Sequence, residues 1–130
     1  MPWVEVFAVF IVCHLVGDYL LQTDWQAENK RGGLGGAPDA RRALLAHVTT
    51  YTLAFVPAFV WLADDLGAAV IAVAAAIFVT HLVQDDGRLL TAYTAWVKGP
   101  GAVANRAVAA AVDQSFHVLT LFAIALVSGT

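Results

Sequence analysis

The sequence predicts an all-α protein, a bundle of four transmembrane helices that reads as two parallel two-helix repeats. Three observations carry that prediction. The 130-residue chain is 60% hydrophobic and only 13% charged, where ordinary soluble domains carry about 25% charged residues. Its apolar residues gather into four runs, at about residues 3–25, 40–63, 66–92 and 102–127, each near the roughly 20 residues a helix needs to cross hydrocarbon. All seven basic residues fall in or beside the first and third of the three connections. Four spans use up the chain, so residues 1–130 read as a single integral membrane domain.

The elements follow in order. Trp3 and Trp25 flank the first run, and Trp61 and Trp96 also fall near span ends, where amphipathic rings settle at headgroup level. The first connection holds Gly32, Gly33, Gly35, Gly36 and Pro38, a flexible loop ended by Asp39 as a helix N-cap. Pro57 should kink the second run, a defect that neighbouring helices tolerate. The short turn at Asp64 and Asp65 makes the second and third spans antiparallel neighbours. Gly99-Pro100-Gly101 is a helix terminator before the fourth.

Lys30, Arg31, Arg41 and Arg42 lie around the first connection and Arg88, Lys98 and Arg106 around the third. The positive-inside rule assigns that side to the cytoplasm and puts both termini and the Asp64/Asp65 turn outside. The expected setting is therefore the cytoplasmic membrane, with lipid as the constant partner and self-association open. A net charge of −3 argues against a nucleic-acid partner. No basic N-terminal region with a small-residue cleavage site is apparent, so no cleavable signal is expected. The single cysteine, Cys13, permits no internal disulfide and reads as a packing residue.

The polar residues inside these runs carry the functional signal. His14-Leu15-Val16-Gly17-Asp18 recurs as His81-Leu82-Val83-Gln84-Asp85. A histidine and an aspartate four apart share one helix face, and ionisable groups in hydrocarbon are functional-site candidates. Both copies run from outside to inside, which makes the repeats parallel, an arrangement known in transporters. The second run adds His47, and the fourth adds Asp113 and His117, the pair in reverse order. At a rise of about 1.5 Å per residue, all these groups lie roughly 10 to 20 Å from the cytoplasmic end, which implies one interior cluster.

Imidazole with carboxylate suits a divalent transition metal, zinc before iron, manganese or nickel, and not calcium. The expected ligands are His14, Asp18, His47, His81, Asp85, Asp113 and His117. Seven exceed what a single zinc takes, so they fit one or two ions per chain, with surplus carboxylates orienting histidines. Asp18 or Asp113 could act as a general base in a metal-dependent hydrolase whose substrate is lipid-linked or otherwise amphipathic. No nucleophilic serine or cysteine motif is present. A metal-ion or proton pathway, and a scaffold subunit with a purely structural polar core, stay open beside that reading. Tyr51 and Gln22 are lesser candidates, satisfying a neighbour's hydrogen bond. Asp24, Glu28 and Asp86 read as solvated span ends, with Asp86 an alternative ligand to Asp85, and Arg42 and Arg88 read as interfacial snorkels.

The run from His14 through Asp18, Gln22 and Trp25 to Lys30 resembles the opening of the bacterial family called domain of unknown function 3307. His47, His81-x-x-x-Asp85 followed by Arg88, and Asp113-Gln114-x-x-His117 are similar to its later motifs, so the resemblance covers nearly the whole chain. Arg88 stands where the family usually has lysine, and Gln84 where an apolar residue is common. The resemblance implies membership and a bacterial membrane setting, but no mechanism. A looser similarity to membrane-bound metal-dependent hydrolases is analogy only.

Overall fold

A computed structural model describes all 130 residues, and every regular element in it is helical. α1 (Trp3–Leu15) follows Pro2 and runs without a break into a π-helical turn at Val16–Leu20. Leu21 N–H closes that turn onto Val16 O at 3.0 Å. The wide turn lies where Gly17 meets Tyr51. A Cβ on Gly17 would sit 2.6 Å from Tyr51 Cδ2, so this close approach requires glycine. The first helix thus ends at Leu20 and not near residue 25. The cause is a capping box, in which Gln26 N–H donates to Thr23 Oγ1 and Thr23 N–H donates to Gln26 Oε1. It starts a separate helix, α2 (Asp24–Asn29).

α3 (Pro38–Ala54) has Pro38 at its first position and Ala37 as N-cap. Asp39, expected as the cap, instead lies in the first turn, where its charge faces the positive end of the helix dipole. Phe55 separates α3 from α4 (Val56–Leu66), the interruption expected from Pro57, which cannot donate to the carbonyl one turn back. The chain reverses at Gly67 into α5 (Val70–Asp86). Gly87, at φ 80°, ends α5 in a left-handed conformation that suits glycine and starts α6 (Arg88–Lys98). The expected third run is therefore two helices. Past Gly99 comes a single turn, α7 (Pro100–Ala104), and Asn105 then caps α8 (Arg106–Ser128) by accepting from Ala107 and Val108 N–H.

α1 packs against α8 and against α3 and α4, while α5 packs against the same three. Val6, Phe10, Phe55, Leu62, Ile77 and Leu121 fill one half of the interior. At that end the Met1 amino group meets Asp65 Oδ2 at 2.8 Å and Thr130 Oγ1 at 3.1 Å, so both termini and the α4–α5 turn lie together. At the other end Lys30 bonds Asp85, Arg31 bonds Thr91 and Arg88 bonds Asp86. Asp86 is not a solvated span end. It is 4% exposed and accepts from Leu34 N–H at 2.8 Å and Arg88 Nε at 2.7 Å, pinning the glycine-rich loop. Arg88 is correspondingly an ion-pair partner rather than a free snorkel.

Only 27 of the 130 residues are buried, and large apolar side chains such as Leu53, Val60, Ile71, Val79 and Leu119 point outward. Apolar exposure on this scale is costly in water. Three stretches, Trp3–Leu20, Val56–Asp86 and Arg106–Ser128, are long and apolar enough to cross a membrane. The chain is compatible with a membrane protein on both counts.

Candidate metal centre

Four helices send side chains into the half of the interior that the apolar core leaves free. α1 and its π-helical turn supply His14 and Asp18, α3 supplies His47 and Tyr51, α5 supplies His81 and Asp85, and α8 supplies Asp113, Gln114 and His117. All four imidazoles are at most 2% exposed. The i to i+4 spacing does what helical periodicity dictates: His81 Nε2 and Asp85 Oδ2 come within 3.1 Å, and His14 Nδ1 and Asp18 Oδ2 within 3.8 Å.

Asp18, His47, His81 and Asp85 converge on a single point. His47 Nε2 lies 3.1 Å from Asp18 Oδ1, 2.8 Å from Asp85 Oδ2 and 3.0 Å from His81 Nε2. His81 Nε2 lies 3.3 Å from Asp18 Oδ1 and 3.1 Å from Asp85 Oδ2. Those are five of the six edges among the four atoms, and the sixth, between the Asp18 and Asp85 oxygens, is within 4.8 Å. A regular tetrahedron with edges of the five lengths has its centre about 1.9 Å from each corner, close to the roughly 2.0–2.2 Å of zinc–nitrogen and zinc–oxygen bonds. Protons alone serve this group poorly. One hydrogen on His47 Nε2 cannot satisfy two carboxylates and a facing imidazole nitrogen together, and two unprotonated nitrogens 3.0 Å apart would oppose their lone pairs. A cation at the centre satisfies all four atoms.

A second, smaller group joins the first. Asp85, Asp113 and His117 also lie within metal-ligand reach of one another. His117 Nδ1–H donates to Asp113 O at 2.7 Å, which leaves Nε2 as the free ligand atom. That Nε2 is buried and 3.0 Å from Asp85 Oδ1 without hydrogen-bond alignment. Asp85 therefore offers Oδ2 to the first group and Oδ1 to the second, the bridging role a carboxylate plays between two ions. Asp113 is the open member, its side chain 35% exposed.

Six of the seven expected ligand residues thus fall into these two groups. His14 stands beside them with both ring nitrogens engaged. Gln114 Nε2 donates to Asp18 Oδ2 at 3.3 Å and Asp113 Oδ2 at 3.1 Å, which turns its Oε1 toward His14 Nε2 at 2.9 Å. Oε1 can only accept, so His14 carries its proton on Nε2 and Nδ1 accepts from the Tyr51 hydroxyl at 3.0 Å. Through Gln114, His14 orients one carboxylate of each group. Tyr51 also supports the site through its ring, which stacks on His81 at 3.5 Å and 7°. The Nδ1 atoms of His47 and His81 have no hydrogen-bond partner, so packing rather than a second hydrogen bond sets the His81 ring.

Lys30 is the residue beside the cluster that helix-by-helix reading missed. Its ammonium donates to Asp85 Oδ2 at 2.7 Å and to Gln22 Oε1 at 2.5 Å. Membrane-topology reasoning absorbs a lysine at a span end as an orientation signal. Only the position of Lys30 in the run that opens at His14 hinted at more.

The family described as protein of unknown function (DUF3307) matches residues 6–130. The chain belongs to that family. No curated protein and no solved structure matches the chain. Family membership brings no activity with it, so function rests on the geometry of these side chains.

Proposed function

We propose that the protein is a four-span integral membrane protein that binds zinc, or another divalent transition metal, at the Asp18–His47–His81–Asp85 group, with a second ion position at Asp85–Asp113–His117. The observation that supports this best is the close spacing of four buried ligand atoms, 2.8 to 3.3 Å apart along five of their six edges. In this reading α3 and α4 together make the second crossing. Asp39, Arg41 and Arg42 make the first turns of α3 polar, and the reversal at Gly67 divides the Val56–Asp86 stretch between two crossings. The ring of α1, α3–α4, α5 and α8 is then a four-helix bundle, with the basic end cytoplasmic and both termini outside.

The activity proposed is hydrolysis of a lipid-linked or amphipathic substrate. The first group supplies four protein ligands, as closed structural sites do, whereas the second supplies three and leaves a position open, as catalytic sites do. A divalent ion there would acidify bound water and polarise the scissile group. Asp113, itself one of the three ligands, is the better placed of the two general-base candidates, because its side chain is half-open to the cleft beside Lys30 and Arg31 and can offer one oxygen to the ion and the other to the water. Asp18 is buried with both oxygens engaged, Oδ1 beside His47 and His81 and Oδ2 accepting from Gln114. The fully protein-ligated first group also favours a second reading, in which its ion holds α1, α3 and α5 together without reacting.

Elemental analysis of the purified protein tests the metal reading first, with one to two ions per chain expected. Less than about half an ion per chain after supplementation would end it. Asp113→Asn should then abolish metal-dependent hydrolysis of amphipathic esters or phosphoesters while the first ion stays bound. Metal-loaded protein that cleaves none of them, with Asp113→Asn no different in metal content, leaves the non-reacting role.

A further inference from the structure

Two surface features beside Asp113 share residues and have opposite chemistry. One is a polar cleft that Lys30 and Arg31 enter from the end of α2, facing Asp85 and Asp113. It continues around Arg31 and Gly87 to Thr91 and Thr94. The other is an apolar groove of about 450 Å³ between α5, α6 and α8, lined by Val79, Val83, Leu89, Leu90, Tyr93 and Phe116. Gln84 lines both the cleft and the groove, and Leu90 lines both the groove and the Thr91 side of the cleft. A charged compartment adjoining an apolar one at Gln84 and Leu90 fits a molecule with a polar head and a hydrocarbon chain.

Charge then selects the head. Lys30 gives two of its three donors to Gln22 and Asp85, and Arg31 bonds Thr91, so one ammonium hydrogen and most of the guanidinium fork remain for a ligand. Three carboxylates, Asp18, Asp85 and Asp113, face those two cations, and a single divalent ion in the first group makes the whole cluster net positive. A planar arginine fork beside an electropositive metal cluster suits a tetrahedral oxyanion.

We propose that this site binds a membrane amphiphile with a phosphate headgroup. The phosphate lies in the cleft between Arg31 with Lys30 and the Asp85/Asp113 side, and one hydrocarbon chain lies in the α5–α6–α8 groove. This rests on the metal reading above and names its substrate class.

The test titrates dodecyl phosphate, inorganic phosphate and dodecyltrimethylammonium into zinc-loaded protein in neutral maltoside micelles, followed by calorimetry. Zinc content and circular dichroism are measured on the same samples. Dodecyl phosphate should bind at least tenfold more tightly than inorganic phosphate, and the ammonium amphiphile should not bind. Arg31→Gln should weaken dodecyl phosphate at least tenfold, and Leu89→Asn, at an exposed groove position, should weaken it while leaving inorganic phosphate unchanged. Arg106→Gln, outside both compartments, should change neither. Equal binding of both amphiphiles, or no effect of Arg31→Gln, overturns the proposal, and zinc-loaded protein that ignores dodecyl phosphate overturns it while sparing the metal site. Protein that takes up no zinc yet binds dodecyl phosphate through Arg31 sinks the metal reading and its share of the charge argument, leaving the phosphate held by Arg31 and Lys30.

Discussion

Asp85→Asn is the sharpest perturbation of the proposed centre, because a single carboxylate serves every part of it. Its Oδ2 lies 2.8 Å from His47 Nε2, 3.1 Å from His81 Nε2 and 2.7 Å from Lys30 Nζ, and its Oδ1 lies 3.0 Å from His117 Nε2. The amide is isosteric, so helix packing around it should survive, while one oxygen becomes a donor and the negative charge is lost. A four-ligand zinc site is worth about 10–16 kcal/mol of apparent binding free energy. Shared over four ligands, that is about 2.5–4 kcal/mol for Asp85, or roughly two to three decades in affinity at 1.4 kcal/mol per decade. The second group loses its bridging oxygen as well, so stoichiometry should fall together with affinity. Competition against a chromophoric zinc chelator in detergent solution reads both quantities. Unchanged affinity and stoichiometry in a folded Asp85→Asn protein would refute the convergence of these ligands on one ion. Asp113→Asn provides the contrast, weakening only the second ion.

Three further expectations rest on named contacts. Gly17→Ala places a Cβ 2.6 Å from the buried Tyr51 ring. It should cost about 1–3 kcal/mol through overpacking, read as a lower Tm with weaker metal retention; an unchanged Tm would mean that α1 and α3 separate easily. Tyr51→Phe keeps the stacking on His81 but removes the hydroxyl that donates to His14. It should cost about 1 kcal/mol and leave zinc content intact, whereas zinc loss would make the Tyr51–His14 bond, not the stacking, the support of the site. Asp86→Ala removes the acceptor of Leu34 N–H and Arg88 Nε. Leaving the amide unpaired should cost about 1–3 kcal/mol and speed limited proteolysis within residues 31–37, while equal cleavage rates would free Asp86 of that loop-holding role.

The helical spacing of the polar residues made much of this centre legible from the sequence. A histidine and an aspartate four apart must share a helix face, so His81 with Asp85 and Asp113 with His117 are pairs in any helical fold. The paucity of charge and the clustering of basic residues at one end likewise belong to composition and order. Helix ends were less legible, because they turn on local competition. The Thr23–Gln26 capping box outcompetes continuation of the first helix, and Gly87 divides what hydropathy alone reads as one run.

What only the tertiary structure decided is which nitrogen and oxygen atoms meet. His14 and His81 occupy the same place in the repeated His-Leu-Val-x-Asp, yet His81 joins the four-ligand group and His14 does not. The difference lies in their neighbours on other helices. Tyr51 stacks on His81 and aims its Nε2 inward, while the Tyr51 hydroxyl and Gln114 occupy both nitrogens of His14. Lys30 lies beyond the capping box that ends the first helix, and reaches Asp85 only because α2 packs back against α3. Periodicity fixes a side chain's face on its own helix, but ligand geometry is a property of four helices at once, set by packing contacts that no single stretch of sequence contains.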